Sequence, residues 1–487
     1  MSIGALFRTP RIRRGLAASA VVLAVGGLVL VRADAHPSVP RAPFGGVTNP
    51  FTGSTNTGTN AVTFKGPSLS GTFALGNTKV LAGGRRELFA ELRLKGENDG
   101  RAKERAPLAL AVVIDTSGSM EGEKIEQAKD SIVRLVRDMR DDDEIALVRY
   151  SDDSSTVQSL ARVGDVRARL VDKIRDLRAS GGTAIPLGLA HGIGALTEAG
   201  AGRVRRVILV SDGLDSSRAE SERLAKVTFG RGITVSSLGI GLDFDEHYMS
   251  GVSESGHGNF AFVKDGATLA RFLTKELEET AGTVVENTKV RVKLPAGVRF
   301  VRANGADAEA TGDGELLVRV GSLFAGDERR VLLQLETDLD VGQMRSIDAT
   351  ASWNVVGRDA ANVDVPQLKI AAVTDASEVE ASRDVTVLAS ATSVRASERQ
   401  VEASEAYARG DVRKAEALSA ESVAELKRVA QAAPKPIADA LAKQGASYDK
   451  DSAQFRAVAP SSAAGKAAAK SAVQMNKSNL TRNADFE

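Results

Sequence analysis

Residues 108–114 read Leu-Ala-Leu-Ala-Val-Val-Ile and run straight into Asp115-Thr116-Ser117-Gly118-Ser119-Met120. Seven apolar residues in succession leave no polar face, so this segment fits a strand covered on both sides, as in a parallel sheet between two helix layers. Such sheets bind ligands at the carboxyl ends of their strands, where Asp115 stands. Asp115, Ser117 and Ser119 occupy alternate positions in a turn loosened by Gly118, so a carboxylate and two hydroxyls can converge on one small hard cation. With so few acids the ion stays electron-poor and able to accept an oxygen ligand from outside. The same side chains also fit a plainer role, capping free amides of the helix that begins near Glu121.

Two further pieces bear on the choice. Ser180-Gly181-Gly182-Thr183-Ala184-Ile185 is a loop that leads into a helix, and Val207-Ile208-Leu209-Val210-Ser211-Asp212-Gly213 is an apolar strand that ends in an aspartate. Each alone reads as a loop, cap or turn. Together and in this order, the three pieces resemble the von Willebrand factor A domain with its metal-ion-dependent adhesion site, over roughly residues 107–282. The resemblance implies three loops side by side above the sheet, with metal contact, direct or through water, from Asp115, Ser117, Ser119, Thr183 and Asp212. In that reading Asp115, Ser117, Ser119 and Thr183 supply inner oxygens and Asp212 orients water behind them. A protein partner presenting an Asp or Glu completes the shell. Mg2+ is the expected ion; Ca2+ and Mn2+ accept the same oxygens, and geometry rather than the ligand set separates them.

The surroundings predict an α/β fold, a doubly wound, mostly parallel, Rossmann-like sheet. Ile125, Ala128, Ile132, Leu135, Val136 and Met139 form one apolar stripe at helical spacing. Strands are expected at 144–150, 155–160 and 233–240, helices at 166–177, 186–197 and 220–229, and an amphipathic stretch carries Leu269, Phe272, Leu273 and Leu277. The acidic run Asp141-Asp142-Asp143-Glu144 reads as a solvated loop, without the Gly and distal Glu of a helix-loop-helix calcium site, and Asp152-Asp153 reads the same way.

Alternation of apolar and polar residues at 87–94, 290–294, 316–320, 330–336 and 347–356 predicts a flanking antiparallel β-sandwich at 283–372, with 71–106 as a β segment that belongs to it. The metal-binding domain, 107–282, would then be inserted into the sandwich, an arrangement reminiscent of inter-alpha-trypsin-inhibitor-like proteins. Residues 373–432 form a helical region of two helices parted at Gly410-Asp411, and 433–487 reads as a low-complexity Ala/Ser/Lys tail. The sequons at Asn476 and Asn479 read as chance matches.

Arg8, Arg11, Arg13 and Arg14 precede an uncharged stretch from Gly15 to Val31, and Ala33-Asp34-Ala35 follows. This is the pattern of an export signal over residues 1–35, or of an uncleaved membrane anchor at 15–31. Both place the rest outside the cytoplasm, in the periplasm, the cell envelope or the medium. Residues 36–70, crowded with Pro, Gly, Ser, Thr and Asn, read as a flexible linker. The chain has no cysteine, which excludes disulfides, thiolate zinc sites and thiol-linked lipids. With 64 basic and 63 acidic residues and no aromatic-laced basic stripe, nucleic acid is not an expected partner.

The chain reads as a non-enzyme. Its four histidines lack zinc-protease spacing, and no phosphate-binding loop or Gly-x-Ser-x-Gly turn occurs; His191 and His257 read as packing or loop residues. A Mg2+-dependent phosphotransferase of the haloacid dehalogenase type needs a second acid where Ser117 stands. A non-enzymatic subunit of an ATPase complex remains an alternative if 15–31 is not an export segment.

Overall fold

The computed structural model describes residues 60–97, 107–200, 202–212, 215–263 and 265–482. The export or anchor segment at 1–35, most of the expected linker and Gly213 lie outside these residues. Among the described residues no helix is long and apolar enough to cross a membrane.

The chain first lays down β1 (Ala61–Gly66), β2 (Leu69–Leu75), β3 (Lys79–Leu81) and β4 (Arg86–Gly96). An α/β unit follows: β5 (Leu108–Asp115), α1 (Glu123–Asp138), β6 (Glu144–Tyr150), β7 (Ser154–Arg162), α2 (Val163–Arg175) and α3 (Ile185–Ala195). It continues with β8 (Val204–Ser211), α4 (Arg218–Gly230), β9 (Ile233–Ile240), α5 (Glu246–Ser255), β10 (His257–Val263) and α6 (Gly266–Ala281). The chain then returns to strands: β11 (Thr283–Lys293), β12 (Val298–Asn304), β13 (Asp307–Ala310), β14 (Glu315–Phe324), β15 (Glu328–Thr337), β16 (Met344–Val355) and β17 (Ala360–Val373). Five helices end it: α7 (Ala376–Ala381), α8 (Val385–Ala408), α9 (Val412–Ala430), α10 (Lys435–Ala457) and α11 (Ala463–Thr481).

The α/β sheet has the order β10-β9-β8-β5-β6-β7, parallel except for the β6–β7 pair at one edge. Every residue of β5 is buried, as its unbroken apolar run demands. Leu108, Leu110, Val112 and Ile114 pack beneath α1, α2 and α6, while Ala109, Ala111 and Val113 meet α3, α4 and α5 on the opposite face. The α1 stripe from Ile125 to Met139 is buried against the first of these faces. The segment around α5 and β10 carried no clear sequence pattern: His257, Gly258 and Asn259 open a short edge strand ahead of its four apolar residues, Phe260–Val263.

The outer strands form two sheets, β1-β2-β4-β15-β12 and β13-β14-β11-β16-β17-β3, enclosing one apolar core. β4 pairs with β15 from Arg86↔Thr337 to Lys95↔Glu328. A strand before the α/β unit is therefore zipped to one after it, and the α/β unit hangs from the sandwich at both ends.

Three expectations need correction. Residues 61–70 are not linker: they lie in β1 and β2, because buried Phe64 folds over Gly71, whose absent Cβ would stand 2.2 Å from the Phe64 ring. The tail after 433 is not structureless: up to Thr481 it is α10 and α11. Its alanines are strong helix formers, and Ile437, Leu441, Tyr448 and Phe455 recur at helical spacing and are buried. Asn476 and Asn479 are buried too, which is incompatible with glycosylation. Asp143 is not solvated: it is fully buried and accepts the amides of Leu108 (3.1 Å) and Arg140 (2.8 Å), tying the start of β5 to the turn before β6.

Candidate metal site

β5 ends on Asp115, which still pairs with Tyr150 of β6 but lies past the last pairing with β8 at Ile114↔Val210, and the chain then turns through a 3-10 turn at Gly118–Met120. The Asp115 carboxylate is fully buried. One oxygen accepts the Ser117 amide (2.8 Å); the other accepts the hydroxyls of Ser211 (2.6 Å) and Tyr150 (3.3 Å). Burial pushes this carboxyl above its ordinary value, the hydrogen bonds from Ser211 and Ser117 pull it back, and the nearby Asp212 charge raises it again. A buried carboxylate with a second one close by favours an added cation.

The hydroxyls run outward from this point. Ser117 Oγ and Ser119 Oγ lie 3.0 Å apart, and Ser119 Oγ donates to Asp212 Oδ1 (2.7 Å). Asp212 follows the last residue of β8, the strand beside β5, and its carboxylate is only 1% exposed. Lys124, in the first turn of α1, binds Asp212 Oδ2 and donates to the Ser119 carbonyl (3.2 Å).

The Gly-Gly-Thr loop is held to the first loop by backbone: the Gly118 amide donates to the Gly181 carbonyl (2.9 Å) and the Ser180 amide to the Thr116 carbonyl (2.7 Å). Thr183 stands half-buried in that loop. Gly181 has φ +83°, and a Cβ on Gly181 or Gly182 would fall 2.5 or 2.4 Å from the Asp152 carboxylate. Asp215 closes the third side, accepting the amides of Ile185 (2.8 Å) and Ser217 (2.7 Å). The structure thus gathers the three loops at one end of the sheet. Asp115, Ser117, Ser119 and Asp212 form a single hydrogen-bonded run, and Thr183 lies two residues past Gly181 in the loop bonded to Gly118.

The capping role does not describe these side chains. The residue before α1 is Gly122 and the residue before α3 is Ala184, and the hydroxyl of Ser117, which precedes the 3-10 turn, makes no capping bond. The oxygens face one another instead of the helix amides, as a shared cation requires. Among the described residues no three His, Cys, Asp or Glu side chains cluster as a metal set; this set joins two carboxylates to hydroxyls.

Tyr150, Ser211, Asp152, Asp215 and Lys124 were not singled out as site residues. Only Lys124 carried a local signal, since a cation in the first turn of a helix opposes the helix dipole and so points to a partner elsewhere. His191 holds the hydroxyls of Ser154 (3.1 Å) and Thr156 (2.8 Å), and His257 is stacked on Phe229 at 3.8 Å; neither reaches the site.

Residues 109–275 match the von Willebrand factor type A domain. The Synechocystis protein sll0103, itself uncharacterized, is 24% identical over 265 residues, which are 52% of this chain and 62% of that one. YfbK of Escherichia coli is 27% identical over 51% of this chain and 45% of its own, and mouse inter-alpha-trypsin inhibitor heavy chain H2 is 29% identical over 47% and 26%. The chain therefore spans less than two thirds of each of these curated relatives. Among solved structures, a von Willebrand factor type A protein from Catenulispora acidiphila superposes with a TM-score of 0.65 at 19% identity, over 86% of this chain and 99% of that one. The ArnB paralog VWA2 from Sulfolobus acidocaldarius gives 0.58 at 14% identity, over 85% and 100%. At such identities the likeness is one of fold, and it reaches well beyond the α/β unit.

Proposed function

From the premise that residues 109–275 are a von Willebrand factor type A domain, we propose that the protein is a non-enzymatic, exported binding protein that grips a protein partner through a divalent cation. Asp115, Ser117, Ser119 and Thr183 would hold the ion and Asp212 would orient water behind them. When bound, the ion supplies an electron-poor centre for an Asp or Glu of the partner. Mg2+ is the ion proposed, with Ca2+ and Mn2+ as the other hard cations suited to these oxygens.

The observation that carries this reading is the run of oxygens from buried Asp115 through Ser117 and Ser119 to buried Asp212, none of them spent on a helix cap. A fold that wanted only stability would place apolar groups at the end of β5. Support for export comes from the arginines before Gly15–Val31 and the Ala33-Asp34-Ala35 sequence, and residues 15–31, if left uncleaved, would attach the protein to the membrane. The near-even charge supports a protein partner over nucleic acid.

Calorimetric titration of the full chain with MgCl2 tests the site. Saturation near one equivalent, removed by Asp115→Ala and by Asp212→Ala, is expected; a folded wild-type protein that takes up no ion would overturn the reading. Fusing the first 40 residues to a compartment reporter tests the address, and cytoplasmic retention would favour a subunit of an ATPase complex.

A further inference from the structure

We infer that Lys124 is a built-in cation of the candidate metal site: it shares Asp212 with the divalent ion, weakens the hold on that ion, and so makes the loaded site depend on an acidic ligand. The inference rests on the proposed metal site and concerns how that site is regulated.

The geometry is specific. The Lys124 ammonium is bound to Asp212 Oδ2 and to the Ser119 carbonyl, while the other Asp212 oxygen accepts the Ser119 hydroxyl. One ammonium therefore touches two of the five residues assigned to the ion. Its stem passes the turn after β9 at Gly241, where a Cβ would lie 3.2 Å from Lys124 Cε. The position itself is unfavourable to a lysine, because a cation in the first turn of α1 faces the positive end of the helix dipole. The partly exposed lysine meets a carboxylate that is 1% exposed, and a buried carboxylate with a single ammonium is strongly held by it.

The charge balance gives this arrangement a consequence. Asp115, Asp212 and Lys124 together carry one net negative charge, since Ser117, Ser119 and Thr183 are neutral. Among the groups assigned to the ion and Lys124, a divalent ion then leaves one net positive charge, which the carboxylate of an Asp or Glu cancels. Asp152 and Asp215 border the loops, Asp215 answered by the Ile185 and Ser217 amides, and contribute equally with and without Lys124. Without Lys124 the two carboxylates alone would neutralise the ion. It would be bound more tightly and would attract an acidic ligand less. Lys124 thus trades affinity for the metal against demand for the partner's carboxylate.

The test is MgCl2 titration of the full chain by calorimetry, comparing wild type with Lys124→Gln. Lys124→Met serves as a second variant, because it keeps an aliphatic stem over Gly241, and circular dichroism checks that each variant is folded. The expected result is binding about tenfold tighter in both variants, since one unit charge a few ångströms from the ion is removed. Binding in the variants alone, with none in wild type, would overturn the reading of the native site as a metal binder and, with it, the inference. Wild-type binding that both folded variants match or weaken would overturn the role of Lys124 and leave the metal site standing. No binding in any of the three would overturn the metal site and the role of Lys124 together.

Discussion

Asp115 sits between two opposed effects. Its carboxylate is fully buried and answers three donors, the Ser117 amide and the Ser211 and Tyr150 hydroxyls, while burial itself disfavours its charge. In chelator, Asp115→Ala is expected to destabilise the chain by about 1–2 kcal/mol, the unmet donors outweighing relief from a buried charge. Urea unfolding measures this, and adding Mg2+ should stabilise wild type but not the variant. The paired glycines beside the site separate strain from crowding. Gly181→Ala meets a left-handed backbone and should cost about 1–2 kcal/mol, whatever stands at 152. Gly182→Ala meets only the end of the Asp152 side chain, which is exposed and free to turn, so its cost should stay below about 0.5 kcal/mol. Equal losses in thermal melts of the two variants would show that crowding, not backbone conformation, selects glycine here. The oxygens of Asp115, Ser117, Ser119 and Asp212 were legible because each follows a strand in a short motif. Tyr150, Ser211 and Asp152 were not, because they reach the site only after β5, β6 and β8 come together, and a tyrosine ending a strand reads as ordinary core.

Among the elements, β11 carries the chain from α6 of the α/β unit into the sandwich, and Glu286 lies on it opposite Asn354 of β16. Burial pushes its carboxyl up to about 7, with Arg205 pulling the other way. The folded chain therefore keeps Glu286 protonated at pH values where the unfolded chain has ionised it. This contribution is absent below about pH 4.5 and lowers stability progressively as pH rises through 7. Glu286→Gln should match wild type near pH 4.5 and exceed it by on the order of 2 kcal/mol at pH 8. Denaturant midpoints at the two pH values measure this, and a pH-independent difference would mean that the carboxylate is hydrated. Elements differed in legibility for a comparable reason, what surrounds them. β5 was evident because a strand buried on both faces is apolar along its run, and β6 because it keeps the apolar Ile145–Val148 between polar ends. β1 hid in a Gly/Thr/Asn-rich stretch because only Phe64 of its six residues is buried. α10 and α11 hid because alanine-rich, lysine-bearing sequence has the composition of a mobile tail, and it is their packing on α8 and α9 that makes them permanent.

At the scale of the whole molecule, α11 acts as a strap. Lys466 reaches Asp243 (2.6 Å), Lys470 reaches the Phe244 carbonyl (3.0 Å) and Glu246 (3.1 Å), and the Phe262 amide donates to Gln474 (3.0 Å), all along the α/β unit. Asn479 then meets Arg330 of β15, so one helix fastens the α/β unit to the sandwich. Arg482, one residue past its end, joins both bodies at once through Glu279 of α6 (3.1 Å) and Asp327 in the turn before β15 (3.1 Å). Both carboxylates are buried. Burial alone would raise Glu279, but Arg482, Lys275 and Arg206 hold it down at about 2. Removing Arg482 leaves Asp327 with Arg329 (3.0 Å), whereas Glu279 keeps Asn259 (2.8 Å), the more distant Lys275 (3.7 Å) and the field of Arg206. The loss should therefore fall mainly on α6, and Arg482→Ala is expected to cost about 3 kcal/mol, the low end for breaking a buried pair. Hydrogen exchange locates the effect. Protection should fall along 266–281 and in the turn at 325–327, and stay unchanged in β5 and β8, whose amides are paired within the central sheet. A loss spread evenly over the α/β unit would mean that the strap holds the whole unit in place and not α6 in particular.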